Sequence, residues 1–334
     1  MLRKLLLPVA FALLAPTLVV AGPLPSITDL YVFGDSLSDD GNAFLRTGGL
    51  FPPPPYAQRA SNGPVAVERL AANLGVPLAP SMVSGTDYAI IGAATGQVPI
   101  PPSMSSTTDN YLTVEYPALA PLFANTGIEV QVATFEAAPP PFNPATSLFV
   151  VWGGANDFFI NPSAATAAAA VTNLSGELTQ LYGVGARNFL VPNMVDLSLT
   201  PYGLSLSPAE QVGLHNLSEG FDAGLASALG VLSLFPGMNM IQFDTFGLFD
   251  AIIANPADFG FTNVTDACFS GLVVCSDPST YLFWDTVHPT TAGATVLGDQ
   301  FTNAVFAAPV PEPATLLLLA SGLAGLAGLA WREN

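Results

Sequence analysis

The segment YVFGDSLSDDGN occupies residues 31–42. It opens as a short aromatic and β-branched run and stops at Gly34-Asp35, the composition of a strand that ends in a turn. Ser36 follows directly. A turn accounts for the Gly and the Asp but does not require a hydroxyl. In open parallel sheets, ligands bind beyond the carboxyl ends of the strands, so a serine at such an end is a candidate nucleophile. Its hydroxyl is a poor nucleophile until a base takes its proton. What this stretch means therefore depends on what the rest of the chain can bring to Ser36.

Further strand-like runs lie at Leu30–Phe33, Tyr88–Ile91, Leu148–Trp152, Asn188–Val191 and Met238–Phe243. They are short and do not alternate strictly, as expected of parallel strands buried on both faces. Helical patterns separate several of them. Pro64–Leu74 is short, and Ser163–Tyr182 is Ala-rich, with Val171, Leu174, Leu178 and Leu181 along one face. Ser207-Pro208-Ala209-Glu210 is a capping box with Pro at the first helical position. It opens a helix that carries Leu214, Leu217, Phe221 and Leu225 on one stripe. A last helix follows Pro289 and runs to about residue 306. Alternation of this kind predicts an α/β sandwich around a mostly parallel sheet. Pro-rich stretches at Gly48–Tyr56, Val98–Asn110 and Ala137–Thr146 interrupt the pattern and read as long loops, either shaping a substrate mouth or running over the surface. No linker divides 22–307, which reads as one domain.

The chain holds two histidines. His215 lies inside the capped amphipathic helix and reads as a surface or boundary position. His288 lies in FWDTVHPT, residues 283–290, with Asp285 three positions before it. That spacing lets a carboxylate reach the imidazole, orient it and stabilise the imidazolium formed on proton transfer. A helix N-cap with an incidental histidine is the competing reading. Oxyanion donors are available after two other strands. GGAND at 153–157 offers the Asn156 side-chain amide, and GAATG at 92–96 offers the backbone N–H of Gly92.

Taken together these segments resemble the GDSL, or SGNH, hydrolase family. FGDSLSDDGN is similar to the family's nucleophile segment, WGGANDFF carries the Asn, and FWDTVHPT carries the acid and base. SNGPVAVERLA at 61–71 and VPNMVDLSLTP at 191–201 also look like family segments, so the resemblance spans essentially all of 22–307. The resemblance implies a flavodoxin-like three-layer α/β/α sandwich with a mostly parallel five-stranded sheet, and a serine ester hydrolase that needs no metal or other cofactor. Carried over by position, Ser36 is the nucleophile, His288 the base and Asp285 the orienting acid. The N–H groups of Ser36 and Gly92, with the Asn156 side chain, form the implied oxyanion hole. One departure concerns DYAIIGAAT, where Ile91 stands in place of the first of two adjacent glycines often found in the family. The chain differs from an α/β-hydrolase in lacking the second Gly of the nucleophile elbow and in placing its Ser first.

The two ends of the 334-residue chain have a different character. Residues 1–21 combine Arg3 and Lys4, an apolar stretch and a small-residue exit at Ala21, the pattern of a secretory signal peptide. A membrane anchor is the alternative. Residues 308–334 contain Val310-Pro311-Glu312-Pro313, an uncharged apolar run from Ala314 to Trp331 long enough to span a bilayer, and then Arg332. This end resembles a PEP-CTERM sorting signal. The resemblance implies bacterial export, processing by an exosortase as partner, transient anchoring by the C-terminal transmembrane helix, and delivery to the envelope or extracellular matrix. An ordinary membrane tail is the alternative, and both place the domain outside the cytoplasm.

Between the ends the only basic residues are Arg46, Arg59, Arg69 and Arg187, and the whole chain carries a formal charge of −18. Nucleic acid and anionic lipid are therefore poor partners. Cys268 and Cys275 are the only cysteines. In an exported protein they read as a disulfide closing a short loop. No Cys or His cluster suggests a metal. The sequons at Asn173, Asn216 and Asn263 carry little weight in a bacterial protein.

Three functions compete at this level. The first is an exported esterase or lipase acting on small-molecule or lipid esters. The second is a carbohydrate acetylesterase acting on matrix polysaccharide. The third is a non-catalytic matrix protein on the same scaffold.

Overall fold

The computed structural model describes residues 26–308. Segment 1–21, expected to be a signal peptide, and the C-terminal apolar run 314–331 lie outside the described residues. Among the described residues no helix is long and apolar enough to cross a membrane.

Four parallel strands form the central sheet: β1 (Asp29–Gly34), β2 (Ser147–Trp152), β3 (Asn188–Pro192) and β4 (Asn239–Phe243), in the spatial order β1-β2-β3-β4. The register sets Tyr31 opposite Phe149, Val150 opposite Leu190 and Ile241 beside Leu190. Every residue of β2 and β3 is buried, which explains why these strands read as continuous apolar runs rather than alternating ones.

The fifth expected strand, Tyr88–Ile91, is present in position but not in regular form. Residues 86–90 run beside β1 on its outer edge. Val32 N–H donates to Thr86 O at 3.0 Å, Tyr88 N–H to Val32 O at 2.8 Å and Ile90 N–H to Gly34 O at 3.2 Å. The ladder is interrupted because Gln131 takes the place of a strand partner. Its Oε1 accepts from Gly34 N–H at 2.9 Å and its Nε2 donates to Gly34 O at 2.9 Å. With this segment included, the order is that of a flavodoxin-like sheet, in which the second segment in sequence lies outside the first.

Helices cover both faces. They are α1 (Ala66–Leu74), α2 (Ile128–Ala137), α3 (Ala155–Ile160), α4 (Ala164–Gly183), α5 (Pro208–Leu232), α6 (Thr245–Ala254) and α7 (Thr291–Ala307), with shorter turns between them. Side chains an odd number of positions apart on a strand point to opposite faces. Phe149 accordingly meets Phe135 of α2 at 5.8 Å, whereas Trp152 meets Phe301 of α7 at 5.4 Å between ring centroids. Helices α2, α4 and α5 pack on the first side, and α1 packs against α7. Each fully buried aromatic such as Phe301 contributes about 1.5–3 kcal/mol relative to exposure.

Local signals account for the helix ends. Ser163 caps α4 by accepting from Thr166 N–H, and Ser207 and Glu210 form the reciprocal capping box of α5. Helix α1 begins at Ala66, two residues later than Pro64, with Val65 extended at its N-cap. Of the three Pro-rich stretches, the second is not all loop. Ala93–Pro99 and Thr107–Asn110 pair as a small antiparallel ribbon with a register shift.

Candidate active site

Ser36 sits in the turn just beyond β1, where Ser38 and Asp39 N–H groups fold back onto Asp35 O. The strand must end in glycine, because a Cβ on Gly34 would lie 2.6 Å from the carbonyl oxygen of Trp152 at the end of β2. The neighbouring strand ends thus press together under the serine. Ser36 itself is 7% exposed.

The imidazole arrives from the other end of the chain. His288 Nε2 lies 2.8 Å from Ser36 Oγ. Its Nδ1 lies 2.7 Å from Asp285 Oδ2 and 3.0 Å from Oδ1. The loop that carries it is tied at both ends. Trp284 N–H donates to His288 O at 2.7 Å, and Asp285 Oδ1 accepts the N–H groups of Val287 and His288 at 2.9 and 2.8 Å. Ser61 Oγ donates to Pro289 O at 2.9 Å, and Asn62 Oδ1 accepts from Thr291 N–H at 2.8 Å. The 61–71 segment therefore holds the histidine loop in place.

The structure brings Ser36, Gly92, Asn156, Asp285 and His288 to one cavity of about 700 Å³. Gly92 has φ +81°, and a Cβ there would lie 2.5 Å from Asn110 Oδ1. Asn110 in turn donates to Ile91 O at 2.9 Å, which holds this turn. The Asn156 amide donates to Ala93 O at 3.0 Å and to Asp35 Oδ2 at 3.2 Å. Among the described residues the backbone N–H groups of Ser36 and Gly92 donate to no protein acceptor. Ile91 lines the same cavity, so the side chain that replaces a glycine adds an apolar wall.

The electrostatics follow from burial and pairing. Burial works to raise the Asp285 carboxyl, but His288 and the two backbone N–H groups outweigh it and hold it below the usual carboxylate range. Burial disfavours the His288 imidazolium, yet the Asp285 charge and hydrogen bond prevail and lift its pKa above the ordinary value. Burial pushes the Asp35 carboxyl up to about 6, against the Leu37 N–H and His288. An imidazole within hydrogen-bond reach of a hydroxyl, with a carboxylate behind it, can remove and return that proton.

His215 belongs to a separate pair. From α5 its Nδ1 lies 2.6 Å from Oδ2 of the buried Asp196, in the segment after β3, and it does not line the cavity. Cys268 and Cys275 are joined by a disulfide that closes the hairpin Phe269–Ser270 with Val273–Val274. Phe269 from this hairpin stacks on Trp284 at 5.6 Å and reaches the cavity wall. Among the described residues no group of three acidic, His or Cys side chains is placed to hold a metal ion.

Three contributors were not visible in the sequence. Gln131 and Asn110 brace the strand end and the Gly92 turn from distant segments. Tyr56, in the first Pro-rich stretch, donates its Oη hydrogen to Asp285 Oδ2 at 2.8 Å. No local pattern marks any of the three.

The chain is similar to known proteins over most of its length. The family model described as GDSL-like Lipase/Acylhydrolase matches residues 30–301. The model described as PEP-CTERM protein-sorting motif matches residues 309–332. A GDSL esterase/lipase of Arabidopsis thaliana is 28% identical over 338 residues, covering 83% of this chain and 86% of the relative. The thermolabile hemolysin of Vibrio parahaemolyticus is 26% identical, covering 80% of this chain and 61% of that protein. A solved structure of a lipolytic G-D-S-L family member from Veillonella parvula aligns with a TM-score of 0.45 at 13% identity, covering 84% of this chain and 98% of that one.

Proposed function

The chain belongs to the GDSL-like lipase/acylhydrolase family, and from that premise we propose that it is an exported serine hydrolase that cleaves carboxylic esters through an acyl-Ser36 intermediate. The observation that carries this reading is the relay Ser36 Oγ to His288 Nε2 at 2.8 Å and His288 Nδ1 to Asp285 Oδ2 at 2.7 Å.

In the proposed cycle Ser36 Oγ attacks the ester carbonyl carbon while His288 Nε2 takes its proton. The carbonyl electron pair moves to oxygen, and the N–H groups of Ser36 and Gly92 receive the oxyanion. Asn156 joins them by exchanging its long contact with Asp35 for the new charge. Collapse re-forms the carbonyl, breaks the bond to the alcohol oxygen, and His288 returns the proton to that oxygen. Water then attacks the acyl-serine with the same base, and the acid departs as Ser36 regains its proton.

The cavity bears on the acyl group. Its volume of about 700 Å³ falls in the range of small-molecule sites, far more than a two-carbon acyl needs. Phe51, Ile91, Leu112, Tyr116, Phe159 and Tyr202 wall it, so burying methylenes there is favourable by about 0.8 kcal/mol each. This supports acyl chains longer than acetyl over the acetylesterase alternative. The sorting motif at 309–332 supports export with exosortase processing and delivery to the envelope or matrix.

The test is hydrolysis of p-nitrophenyl acetate, butyrate, octanoate and palmitate by the protein and by Ser36→Ala. The reading expects activity that disappears in the variant and a higher kcat/KM for the longer chains than for acetate. Equal background rates for two folded proteins would overturn it.

A further inference from the structure

Asp285 accepts from four donors. Oδ1 takes the N–H groups of Val287 and His288, and Nδ1 of His288 spans both oxygens. These three come from its own turn of chain. The fourth is the Tyr56 hydroxyl at 2.8 Å from Oδ2, reaching across 229 residues of sequence. A phenol facing an ionised carboxylate can only donate, so the direction of this bond is set. Burial, with the Asp285 charge close by, drives the phenol pKa far up and keeps that proton in place.

The Tyr56 ring is clamped independently of its hydroxyl. It packs edge-on against Phe269 at 5.7 Å and Trp284 at 6.1 Å. Phe269 belongs to the disulfide-closed hairpin, and Trp284 immediately precedes Asp285. The same Pro-rich stretch places Phe51, Pro52 and Pro53 on the cavity wall. One hydroxyl thus joins the wall of the substrate cavity to the acid behind the base.

We propose that Tyr56 is a positioning residue for the reaction, its hydroxyl fixing Asp285 Oδ2 against His288 and moderating the charge that the imidazole sees. This rests on the assignment of Ser36, His288 and Asp285 above. A donor on Asp285 spreads part of its negative charge into the O–H bond, so less of it stabilises the imidazolium. Removing the hydroxyl leaves a more basic His288 and an Oδ2 held by the imidazole alone. The other titratable groups facing this site are Asp35, toward His288, and Tyr116, toward Tyr56. Neither changes in the variant below.

Tyr56→Phe keeps the ring and its packing and deletes only the hydroxyl. The two imidazoles of the chain can be followed separately by NMR titration of the purified protein. The His288 midpoint is expected to rise by about 0.5–1 pH unit in Tyr56→Phe, while His215, paired with Asp196 elsewhere, stays unchanged as an internal control. The acid limb of kcat/KM on p-nitrophenyl butyrate should move up by the same amount, a roughly 3- to 10-fold loss at pH values below that limb that fades above it. A His288 midpoint that matches the parent protein would overturn the proposal, whatever the activity. The NMR titration requires no turnover. A protein without Ser36-dependent hydrolysis would therefore defeat the functional reading while the Tyr56 bond remained under test.

Discussion

His288 Nε2 stands 2.8 Å from Ser36 Oγ although the two residues are 252 positions apart in sequence. The contact exists because β1 ends directly under the loop that precedes α7, and because Ser61 and Asn62 tie that loop down from a third segment. Its orientation depends on the acid behind it, which gives the first prediction.

Asp285→Asn should lower kcat by about 10⁴-fold with little change in fold. The amide oxygen would remain with the N–H groups of Val287 and His288, which turns the NH2 group toward His288 Nδ1. That forces the ring into the tautomer with a proton on Nε2, the wrong one to accept from Ser36. Steady-state kinetics on p-nitrophenyl butyrate, with circular dichroism as the folding control, would check it. A loss of under tenfold would contradict the role of Asp285.

Gly92→Ala should reduce both activity and stability. The residue has φ +81°, and the new methyl would lie 2.5 Å from Asn110 Oδ1 and 2.9 Å from Leu112 Cγ. The left-handed backbone alone costs about 1–2 kcal/mol. Displacing the turn moves the N–H proposed to receive the oxyanion, and loss of one such donor costs about 10²–10³-fold in kcat. Urea unfolding and kinetics on the same preparation would separate the two effects. Unchanged kcat in a destabilised variant would remove Gly92 from the oxyanion site.

The domain should be more stable near pH 5 than near pH 8. Burial raises Asp35 and Asp39 to about 6 and Asp40 and Asp157 to about 7. The folded state therefore holds protons that the unfolded chain has already lost above about pH 4. Stability then falls as pH rises through that window and levels off above it. His288 adds to the same trend, since its raised pKa contributes stability below the ordinary imidazole value that is lost as pH passes the folded one. Asp285, held low, acts in the opposite sense only below the usual carboxylate range. Calorimetry at the two pH values should find the midpoint several degrees higher at pH 5, at roughly 2–4 °C per kcal/mol. A higher midpoint at pH 8 would contradict this account of the buried carboxyls.

Replacing Cys268 and Cys275 together by Ser should lower the unfolding free energy by roughly 2–3 kcal/mol, the effect of opening a short loop in the unfolded chain. The hairpin also carries Phe269 against Trp284 and the cavity wall. KM for the longer acyl esters should accordingly rise more than KM for acetate. Parallel chemical denaturation and chain-length profiles would check both parts.

The sequence by itself determined the order of the elements. Buried parallel strands need continuous apolar runs, and helices need periodic stripes and caps, so β1 to β4, the Ala-rich helix α4 and the Ser207 box could be read from local composition. Ser36 and Asn156 could be singled out because each follows a strand-like run, and Asp285 and His288 by their three-residue spacing in a chain with two histidines, while the roles of all four came from the resemblance to the GDSL family. The disulfide partners followed from there being only two cysteines. Only the tertiary structure decided what holds these residues at working distance. Gln131 in place of a strand partner for Gly34, Asn110 under the Gly92 turn, Ser61 and Asn62 on the histidine loop and Tyr56 on Asp285 are all contacts between segments remote in sequence. A side-chain hydrogen bond is directional and fails within an ångström. It leaves no periodicity in the chain and becomes visible only where packing of the core has set two backbones side by side.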